Sequence, residues 1–447
     1  MSWLFLAVSL IGLWFTANAL WPARRIQLVG PSFFAAWLTG ELAGFHLAWQ
    51  VVATVMFIAL GALSGAAGFV GLAVTALSWF GLVWIIVVAS RSSHTLERAL
   101  RDALGADYRD RIAPGRLAHL GPKGPWRKLF FPFWLREPGV ERIRNLRYAE
   151  GARERHLLDV YRPRAGADRA PVLLQIHGGG WVIGDKSQQG LPLMNELAAA
   201  GWVCVANNYR LSPKATFPDH LVDCKRALAW IREHIAYYGG DPDFVVVTGG
   251  SAGGHLAALM GLTPNDPEYQ PGFESVDTSV AACIPFYGVY DLVDTFQDPD
   301  GTPTDMRLAT WLMGASIADD QARFERASPV YRVHAEAPPF FVIHGDHDNL
   351  VPVDQARAFV KALRDTSRHP VAYAEIAGGS HAFDVFHSVR ADNTVNAAHR
   401  FAAWAYAVSS ETPAATPPEA ETPARIDPPA GVNATMGGVD AAAGGGS

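Results

Sequence analysis

Residues 244–262 read FVVVTGGSAGGHLAALMGL, an apolar run followed by a glycine-rich turn and a second apolar segment. The run 244–248 is typical of a buried strand, and Ala252–Leu262 is typical of a helix. Between them stands the pattern G-x-S-x-G, with Ser251 at its centre. Glycines on both sides of a serine permit a sharp strand-to-helix turn that holds the hydroxyl clear of the sheet. The stretch therefore predicts a βα unit that presents Ser251 as a nucleophile.

Similar apolar runs lie on both sides of this unit. Runs bounded by Gly, Pro, Asp or His predict buried strands at 172–176, 202–206, 281–286, 340–343 and 371–376. Helical patterns at 219–237 and 353–364 lie between them, and the more openly alternating runs 142–148 and 156–161 suit an antiparallel edge. The sequence thus predicts an α/β domain over 141–408, a mostly parallel sheet with helices on both faces. In such a fold, functional residues follow the carboxyl ends of the strands.

A second glycine-rich motif, His177-Gly178-Gly179-Gly180-Trp181, follows the predicted strand 172–176. Consecutive glycines let backbone N–H groups face a substrate, where they stabilise the negative oxygen of an acyl-transfer transition state. We therefore expect Gly178, Gly179 and Gly180, together with the N–H of Ala252, to form an oxyanion hole. A phosphate-binding loop is disfavoured, because no G-x-G-x-x-G register fits and no Gly-Lys-Ser/Thr follows.

A serine nucleophile needs a base, and that base needs an orienting acid. Asp348 follows the strand 340–343 and His381 follows the strand 371–376, which gives the chain order Ser, Asp, His. Asp348 is expected to hold the imidazole of His381 in the tautomer that accepts the Ser251 proton. Asp346 is the rival acid, and the histidines and aspartates of the segment 344–348 are alternatively a metal site. We predict no metal and no cofactor.

The segment 291–328 is longer than the usual connection between strands, which predicts cap elements over Ser251. We expect Trp181, Trp311 and Met313 to contact the substrate, since apolar side chains dominate small-molecule sites. The alternative for this segment is a packed helix with its apolar residues in the core.

Charge is nearly absent from residues 1–90, where only Arg24, Arg25 and Glu41 carry it. Stretches at 3–20, about 42–63 and 68–89 are each long enough to cross a bilayer as a helix, so 1–90 is predicted to hold about three transmembrane helices. Glu41 with His46 is alternatively a functional pair inside the membrane, although a span that starts after Glu41 is the simpler interpretation. The first stretch is alternatively a cleaved signal peptide, because Ala17-Asn18-Ala19 resembles a cleavage site.

Positive charge lies on one side of these spans. Residues 91–128 contain nine Lys or Arg and four Asp or Glu, with apolar residues at helical spacing. The positive-inside rule then predicts a multi-pass cell-membrane protein with a cytoplasmic catalytic domain. The segment 91–140 is interpreted as a basic amphipathic juxtamembrane or cap segment, and its aromatic stretch 126–134 as an interfacial anchor or a cap. Residues 409–447, rich in Pro, Ala, Thr, Glu and Gly, predict a disordered tail.

Overall composition excludes some function classes. The 447 residues carry a net charge of −6, so no global basic field indicates nucleic-acid binding. Three dispersed cysteines are too few for a disulfide framework. No nucleic-acid partner is therefore expected. The serine motifs and the apolar N-terminal stretches instead predict an ester substrate and membrane lipids as partners, while the oligomeric state is left open.

Several motifs together resemble the hormone-sensitive-lipase-like esterases and lipases of the α/β-hydrolase superfamily, in particular membrane-associated actinobacterial members. These motifs are the glycine loop, the run Asn208 to Pro213, Phe217-Pro218, Asp241-Pro242, the serine turn, His344-Gly345 with Asp348, Val351-Pro352, and Gly379 with His381. The resemblance covers about 157–404 and implies cofactor-free hydrolysis of carboxylic esters by Ser251, Asp348 and His381. Gly250 departs from the Asp usual in lipase-like members and resembles arylformamidase and feruloyl-esterase-like relatives.

The expected activity is that of a membrane-anchored serine carboxylesterase or lipase acting on lipid or hydrophobic acyl esters through an acyl-serine intermediate. Alternatives on the same triad are an acyltransferase, a deacetylase or an arylformamidase-like amidohydrolase. From another class, the domain is a non-catalytic ligand receptor, or the N-terminal spans are the functional unit with the hydrolase as regulator.

Overall fold

A computed structural model describes residues 1–23, 26–117, 125–151, 153–296 and 303–411. The strands are β1 Val140–Arg147, β2 Leu157–Pro163, β3 Ala170–Ile176, β4 Val203–Asn207, β5 Gly240–Gly250, β6 Ala282–Phe286, β7 Phe340–Gly345 and β8 Val371–Ile376. The helices are α1 Ser2–Leu20, α2 Ile26–Glu41, α3 Ala43–Ala59, α4 Ala66–Leu104, α5 Pro114–Leu117, α6 Pro125–Phe130, α7 Leu191–Ala199, α8 Asp219–His234, α9 Ala252–Leu262, α10 Leu292–Phe296, α11 Pro303–Met313, α12 Gln321–Ala327, α13 Val353–Thr366 and α14 Val389–Glu411. The predicted tail lies outside the described residues from position 412 onward.

The strands form one eight-stranded sheet in the order β1-β2-β4-β3-β5-β6-β7-β8. β1 pairs antiparallel with β2, and β2 pairs antiparallel with β4. The remaining pairs are parallel, because a helix or a long connection returns the chain to the same end of the sheet each time. This arrangement confirms the predicted mostly parallel sheet with an antiparallel edge.

Each face of the sheet is covered by helices. Val172 and Leu174 of β3 face one buried cluster with residues of α8, α9 and α13, whereas Leu173 faces a second cluster with residues of α7 and α14. Alternate residues of a strand point to opposite faces, so a strand buried on both sides must be mainly apolar, as β3 is apart from the buried Gln175.

The helix predicted after residue 90 is continuous with the third predicted span. α4 runs without a break from Ala66 to Leu104, so the third predicted span and the amphipathic segment are one helix of 39 residues. Leu96 and Leu100 are fully buried in the second cluster, together with Tyr108 from the following turn. The apolar stripe of this segment therefore lies against the hydrolase domain rather than along a membrane surface.

α1 and α4 are long and apolar enough to cross a membrane, and α2 with α3 meets the same criterion only if the bent pair is one span. The two members of that pair meet at 86°, and α3 begins two residues after Glu41. Large apolar side chains cover the outer surface of α1, α3 and α4, including those of Trp3, Val52 and Phe80.

The N-terminal helices contact the loops at the carboxyl edge of the sheet. Asn349 Nδ2, in the loop after β7, donates a hydrogen bond to the carbonyl of Ala23 at 3.0 Å. Ser388 Oγ, before α14, donates to Glu41 Oε2 at 2.7 Å. This edge is where the sequence predicts the functional side chains, so the helices lie directly beside the candidate site.

Candidate active site

Ser251 stands between β5 and α9 in a backbone conformation that most residues avoid. Its φ is 59° and its ψ is −124°, and its N–H donates to the carbonyl of Phe286 at 3.0 Å. A side chain at Gly253 would collide with the carbonyl oxygen of Ile176, so a glycine lets the helix start this close to β3. A strained non-glycine residue survives only where its surroundings fix it, which is a feature of functional sites.

Asp348 and His381, which are distant in sequence, are hydrogen-bonded to each other. His381 Nδ1 donates to Asp348 Oδ2 at 2.6 Å, and the Asp348 side chain is fully buried. The other carboxylate oxygen accepts from the backbone N–H groups of Leu350 and Val351 at 2.9 and 2.8 Å. The loop after β7 thus holds the carboxylate rigidly, and the carboxylate in turn fixes the imidazole.

The surroundings of Asp348 favour its ionised form. Burial acts to raise the pKa of Asp348, but the attraction of His381 and hydrogen bonds from His344 and His381 outweigh it. The pKa of this carboxyl therefore lies well below its usual range, and the group is a permanent acceptor at neutral pH.

Asp346, the rival acid, and the candidate metal ligands of the segment 344–348 have different hydrogen-bond partners. Asp346 Oδ1 accepts from the backbone N–H of Gly378 at 2.7 Å, and Asp346 forms no hydrogen bond with His381 within the described part of the chain. His344 Nε2 lies 3.0 Å from the carbonyl of Val351 and 3.2 Å from Asp348. No group of three or more His, Cys, Asp or Glu side chains among the described residues is arranged to hold a metal ion.

Tyr287 fills the space between the serine turn and the histidine loop. Its ring centroid lies 4.7 Å from that of His381, and its hydroxyl lies 2.7 Å from where a Cβ at Gly250 would stand. The hydroxyl donates to Asp384, whose pKa is raised by burial. Gly250 is therefore glycine because Tyr287 occupies the room that a side chain would need.

No hydrogen bond joins Ser251 Oγ to His381 Nε2 in the described structure, and such bonds are often formed only with substrate bound.

The glycine loop lies against the serine, with one difference from expectation. A Cβ at Gly178 would lie 3.1 Å from Ser251 Cβ, so the loop backbone approaches the nucleophile closely. The N–H of Gly178, however, donates to Gln189 Oε1 at 2.6 Å and is therefore not free for an oxyanion. The N–H groups of Gly179, Gly180 and Ala252 have no acceptor among the described residues. They are the groups available for an oxyanion hole.

The predicted substrate contacts lie in different environments. Trp181 is buried, and its indole N–H donates to His255 Nδ1 at 3.3 Å. Met313 is fully buried in the core, whereas Trp311 is 38% exposed. The buried position of Met313 agrees with the packed-helix alternative for α11, and its substrate role stays a prediction, as do those of Trp181 and Trp311.

One neighbour of the histidine comes from the N-terminal region. The ring of Phe33, in α2, meets the imidazole of His381 edge-on with centroids 6.2 Å apart. The sequence motifs predict a site role for neither Phe33 nor Tyr287 nor Asp384. Asp384 has a weak signal, since it follows His381 by three residues, but no local pattern relates Phe33 to a loop more than 300 positions later.

Comparisons with known proteins identify the family of the chain. The BD-FAE family matches residues 158–363, a range that contains Ser251 and Asp348 and ends before His381. The probable carboxylic ester hydrolase LipM of Mycobacterium tuberculosis is 44% identical over 347 residues, which cover 75% of this chain and 78% of LipM. Esterase LipQ of the same organism is 44% identical over 331 residues, 72% of this chain and 76% of LipQ.

A solved carbohydrate esterase from gut microbiota, in truncated form, shares the fold, with a TM-score of 0.51, 24% identity and coverage of 59% of this chain and 96% of that one. At this identity the likeness speaks for the fold alone. The narrower kinship with hormone-sensitive-lipase-like enzymes stays a prediction. The two mycobacterial relatives establish the family: the chain belongs to the α/β-hydrolase esterases that include LipM and LipQ, and it is a carboxylesterase.

Proposed function

We propose that the chain is a membrane-anchored serine esterase that hydrolyses lipid or hydrophobic acyl esters through an acyl-serine intermediate. The observation that carries this proposal is the 2.6 Å hydrogen bond between His381 and the buried Asp348, in loops beside the strained Ser251. A weak nucleophile, a base and an orienting acid are the three groups that acyl transfer to serine requires.

In the first half-reaction, Ser251 Oγ attacks the ester carbonyl carbon while His381 Nε2 accepts the hydroxyl proton. The carbonyl oxygen becomes negative and accepts hydrogen bonds from the free N–H groups of Gly179, Gly180 and Ala252. The tetrahedral intermediate then expels the alcohol, which receives its proton from His381. Asp348 stabilises the imidazolium throughout without itself taking the proton.

In the second half-reaction, water replaces the alcohol. His381 removes a proton from the water, whose oxygen attacks the acyl carbon. The same N–H groups stabilise the second oxyanion, and its collapse returns the proton to Ser251 and releases the carboxylic acid. No group other than the side chains and backbone of this chain is needed for either step.

The nucleophile is tested by Ser251→Ala in the full-length protein. We expect kcat on p-nitrophenyl acetate to fall by roughly 10⁴- to 10⁶-fold, as for other serine triads, with an unchanged circular dichroism spectrum. Activity within tenfold of the wild type would assign the chemistry to another residue.

Membrane anchoring is supported by the outer surfaces of α1, α3 and α4, which expose large apolar side chains. The start of α1 lies beside the turn before α4, since a Cβ at Gly65 would lie 3.5 Å from Ser2 Oγ. The end of α1 lies beside the hydrolase domain. Arg24 and Arg25, on which the orientation depends, are outside the described residues, and Arg91 and Arg98 follow on the domain's side.

We therefore propose a cytoplasmic catalytic domain. Protease added to intact spheroplasts should leave the domain uncut, and lysed spheroplasts serve as the control. Degradation from outside would reverse the orientation, and a mature N-terminus after Ala19 would make the first stretch a signal peptide.

Acyl transfer to an alcohol is the second candidate, and the cover over the site favours it. His381 is 5% exposed and lies beneath Phe33, and an active site that excludes water lets an alcohol compete for the acyl-serine. Adding glycerol or a long-chain alcohol to the assay separates the two activities. A new ester as the main product indicates a transferase, whereas free acid alone indicates a hydrolase.

A further inference from the structure

An apolar groove lies where the N-terminal helices meet the segment before the sheet. Leu42 and Phe45, at the bend between α2 and α3, line one wall, and residues 130–134 line the other. The groove has a volume of about 560 Å³, and all its lining residues are apolar. Sites of this size hold small organic ligands. None of these residues takes part in the reaction described above.

Aromatic rings connect the groove with the imidazole of His381. Phe133 contacts Phe386 at a centroid distance of 5.0 Å, and Phe386 contacts Trp37 at 5.2 Å. Trp37 stacks on Phe33 at 5.7 Å, and Phe33 meets His381. A continuous series of aromatic contacts therefore links the groove with the reaction centre, with Phe33 and Trp37 from α2 and Phe386 from the hydrolase domain.

The groove also adjoins the apolar N-terminal helices. Phe45 is in the first turn of α3, whose outer surface is apolar, and α2 leaves it at 86°. Phe131 and Phe133 are more than 60% exposed, although exposed aromatic rings of this kind are costly in water. Aromatic residues are common at the boundary between the headgroups and the hydrocarbon.

We propose that this groove binds the acyl chain of the ester substrate, which enters from the bilayer between α2 and the 130–134 segment. The inference rests on the serine esterase function and adds the substrate class, a long-chain acyl ester. Its hydrocarbon is the occupant that the surface fits, because an all-apolar wall offers nothing to a charged or sugar group. Each buried methylene strengthens binding roughly fourfold, so a groove that buries the acyl chain discriminates strongly by chain length.

The test compares p-nitrophenyl esters from acetate to dodecanoate with full-length protein in detergent. Leu42→Trp fills the groove, and we expect the ratio of kcat/KM on dodecanoate to that on acetate to fall at least tenfold, with acetate within twofold of the wild type. Leu42→Ala opens the groove and should keep or raise that ratio. Opposite effects from one position are not expected of a folding defect.

Val52→Trp is the matched control, because it also introduces an indole ring, on the exposed side of α3 and away from the groove. It should leave the ratio unchanged. If Leu42→Trp does not accumulate, Phe45→Trp replaces it. Equal losses on all esters, an unchanged ratio, or a ratio that responds to Trp311→Ala but not to the groove variants would overturn the proposal. A wild-type protein that does not hydrolyse p-nitrophenyl acetate would instead contradict the serine esterase function.

Discussion

The N-terminal helices and the hydrolase domain differ in the side chains that they bury and in those that they expose. In the domain, β3 and its neighbours bury aliphatic residues such as Val172 and Leu174. Between α1 and α4 the buried contacts include hydroxyls: Thr16 bonds Ser78 at 2.8 Å, and Thr75 donates to Ser9 at 2.8 Å. On the outer face of α4, by contrast, Phe80 is 71% exposed.

This difference in buried and exposed side chains indicates which surroundings suit each region. Water drives apolar side chains inward, whereas lipid does not, so helices in a bilayer associate through small residues and hydroxyl hydrogen bonds. Gly81 fits this pattern, since a Cβ there would lie 2.6 Å from Thr16 Cγ2. The comparison therefore supports our proposal that lipid surrounds the N-terminal helices and water surrounds the domain.

The largest effect is expected on the domain side, where the chemistry lies. Asp348→Asn should lower kcat by roughly 10⁴-fold, because an amide stabilises the wrong tautomer of His381. Asp346→Asn is the matched control and should stay within tenfold of the wild type, since Asp346 bonds Gly378 and not the histidine. Kinetics on p-nitrophenyl acetate decide between them, and the reverse ranking would make Asp346 the acid.

Glu41 is an exception among the N-terminal helices, because it is a buried acid among apolar and hydroxyl side chains. Its carboxylate faces Arg390 Nη1 at 3.3 Å, both side chains are 1% exposed, and Arg390 Nε donates to the carbonyl of Ala377 in the His381 loop. Glu41→Gln leaves a buried arginine unpaired, which should cost about 3–5 kcal/mol of stability. We also expect kcat to fall by roughly 10²-fold as the loop shifts.

Ser92→Ala is the control for Glu41→Gln, because Ser92 also joins the two regions, through Asn393 at 3.0 Å, but without contacting that loop. Its melting temperature and kcat should change much less. Equal effects of the two variants would mean that Glu41 only holds the regions together.

Acid should destabilise the hydrolase domain more than the N-terminal helices. Burial lowers the pKa of His177 and His255 to about 4 and that of His220 to about 3, and these residues lie in the domain. The unfolded chain binds their protons below about pH 6.5, so stability is full above that pH and is lost as the pH falls toward 4. His177 alone accounts for about 3 kcal/mol.

The measurement for this prediction is circular dichroism of the protein in detergent between pH 7.5 and 4.5. The melting temperature of the domain should drop steadily as the pH falls. The near-ultraviolet signal should be lost while part of the helical signal remains. His220→Asn should reduce the slope of melting temperature against pH. A melting temperature independent of pH would show that these histidines are not held neutral.

The smallest expected effect is the loss of stability when one buried hydroxyl is removed from each region. Thr75→Val removes its bond to Ser9 and should cost about 0.6 kcal/mol, the average for hydrogen bonds between membrane helices. Thr248→Val removes a 2.7 Å bond to the carbonyl of Ile284 inside the domain and should cost about 1–3 kcal/mol. Thermal unfolding in detergent ranks them, and a larger cost for Thr75→Val would contradict a lipid-type interface.

Local pattern was enough to predict much of the domain. The bounds of α9 match the prediction residue for residue, because a serine turn marks the start of the helix and the apolar run ends at Leu262. β5 extends further than predicted, from Gly240, because Gly240 also pairs with Ala170 of β3, beyond a register shift at polar residues that carry no apolar signal. The fold thus follows from periodicity, and its exact strand ends from pairing.

Contacts between distant segments were not predictable in this way. A charge change at Arg91 suggested the end of a span, but charge alters the surroundings of a helix and not its backbone, so α4 continues to Leu104. The bond of Ser388 to Glu41 joins positions 347 residues apart, and only the packed structure brings them together. Similarly, the Gln189 side chain that occupies the Gly178 N–H has no sequence signature.

The most direct test of the proposed mechanism is to identify the nucleophile in the full-length protein. Membranes containing the full-length chain are treated with a fluorophosphonate probe, and the labelled peptide is located by mass spectrometry. We predict one adduct, on Ser251, that is lost in His381→Ala and retained in His347→Ala. An adduct on another residue, or ester hydrolysis with no adduct on Ser251, would contradict the account.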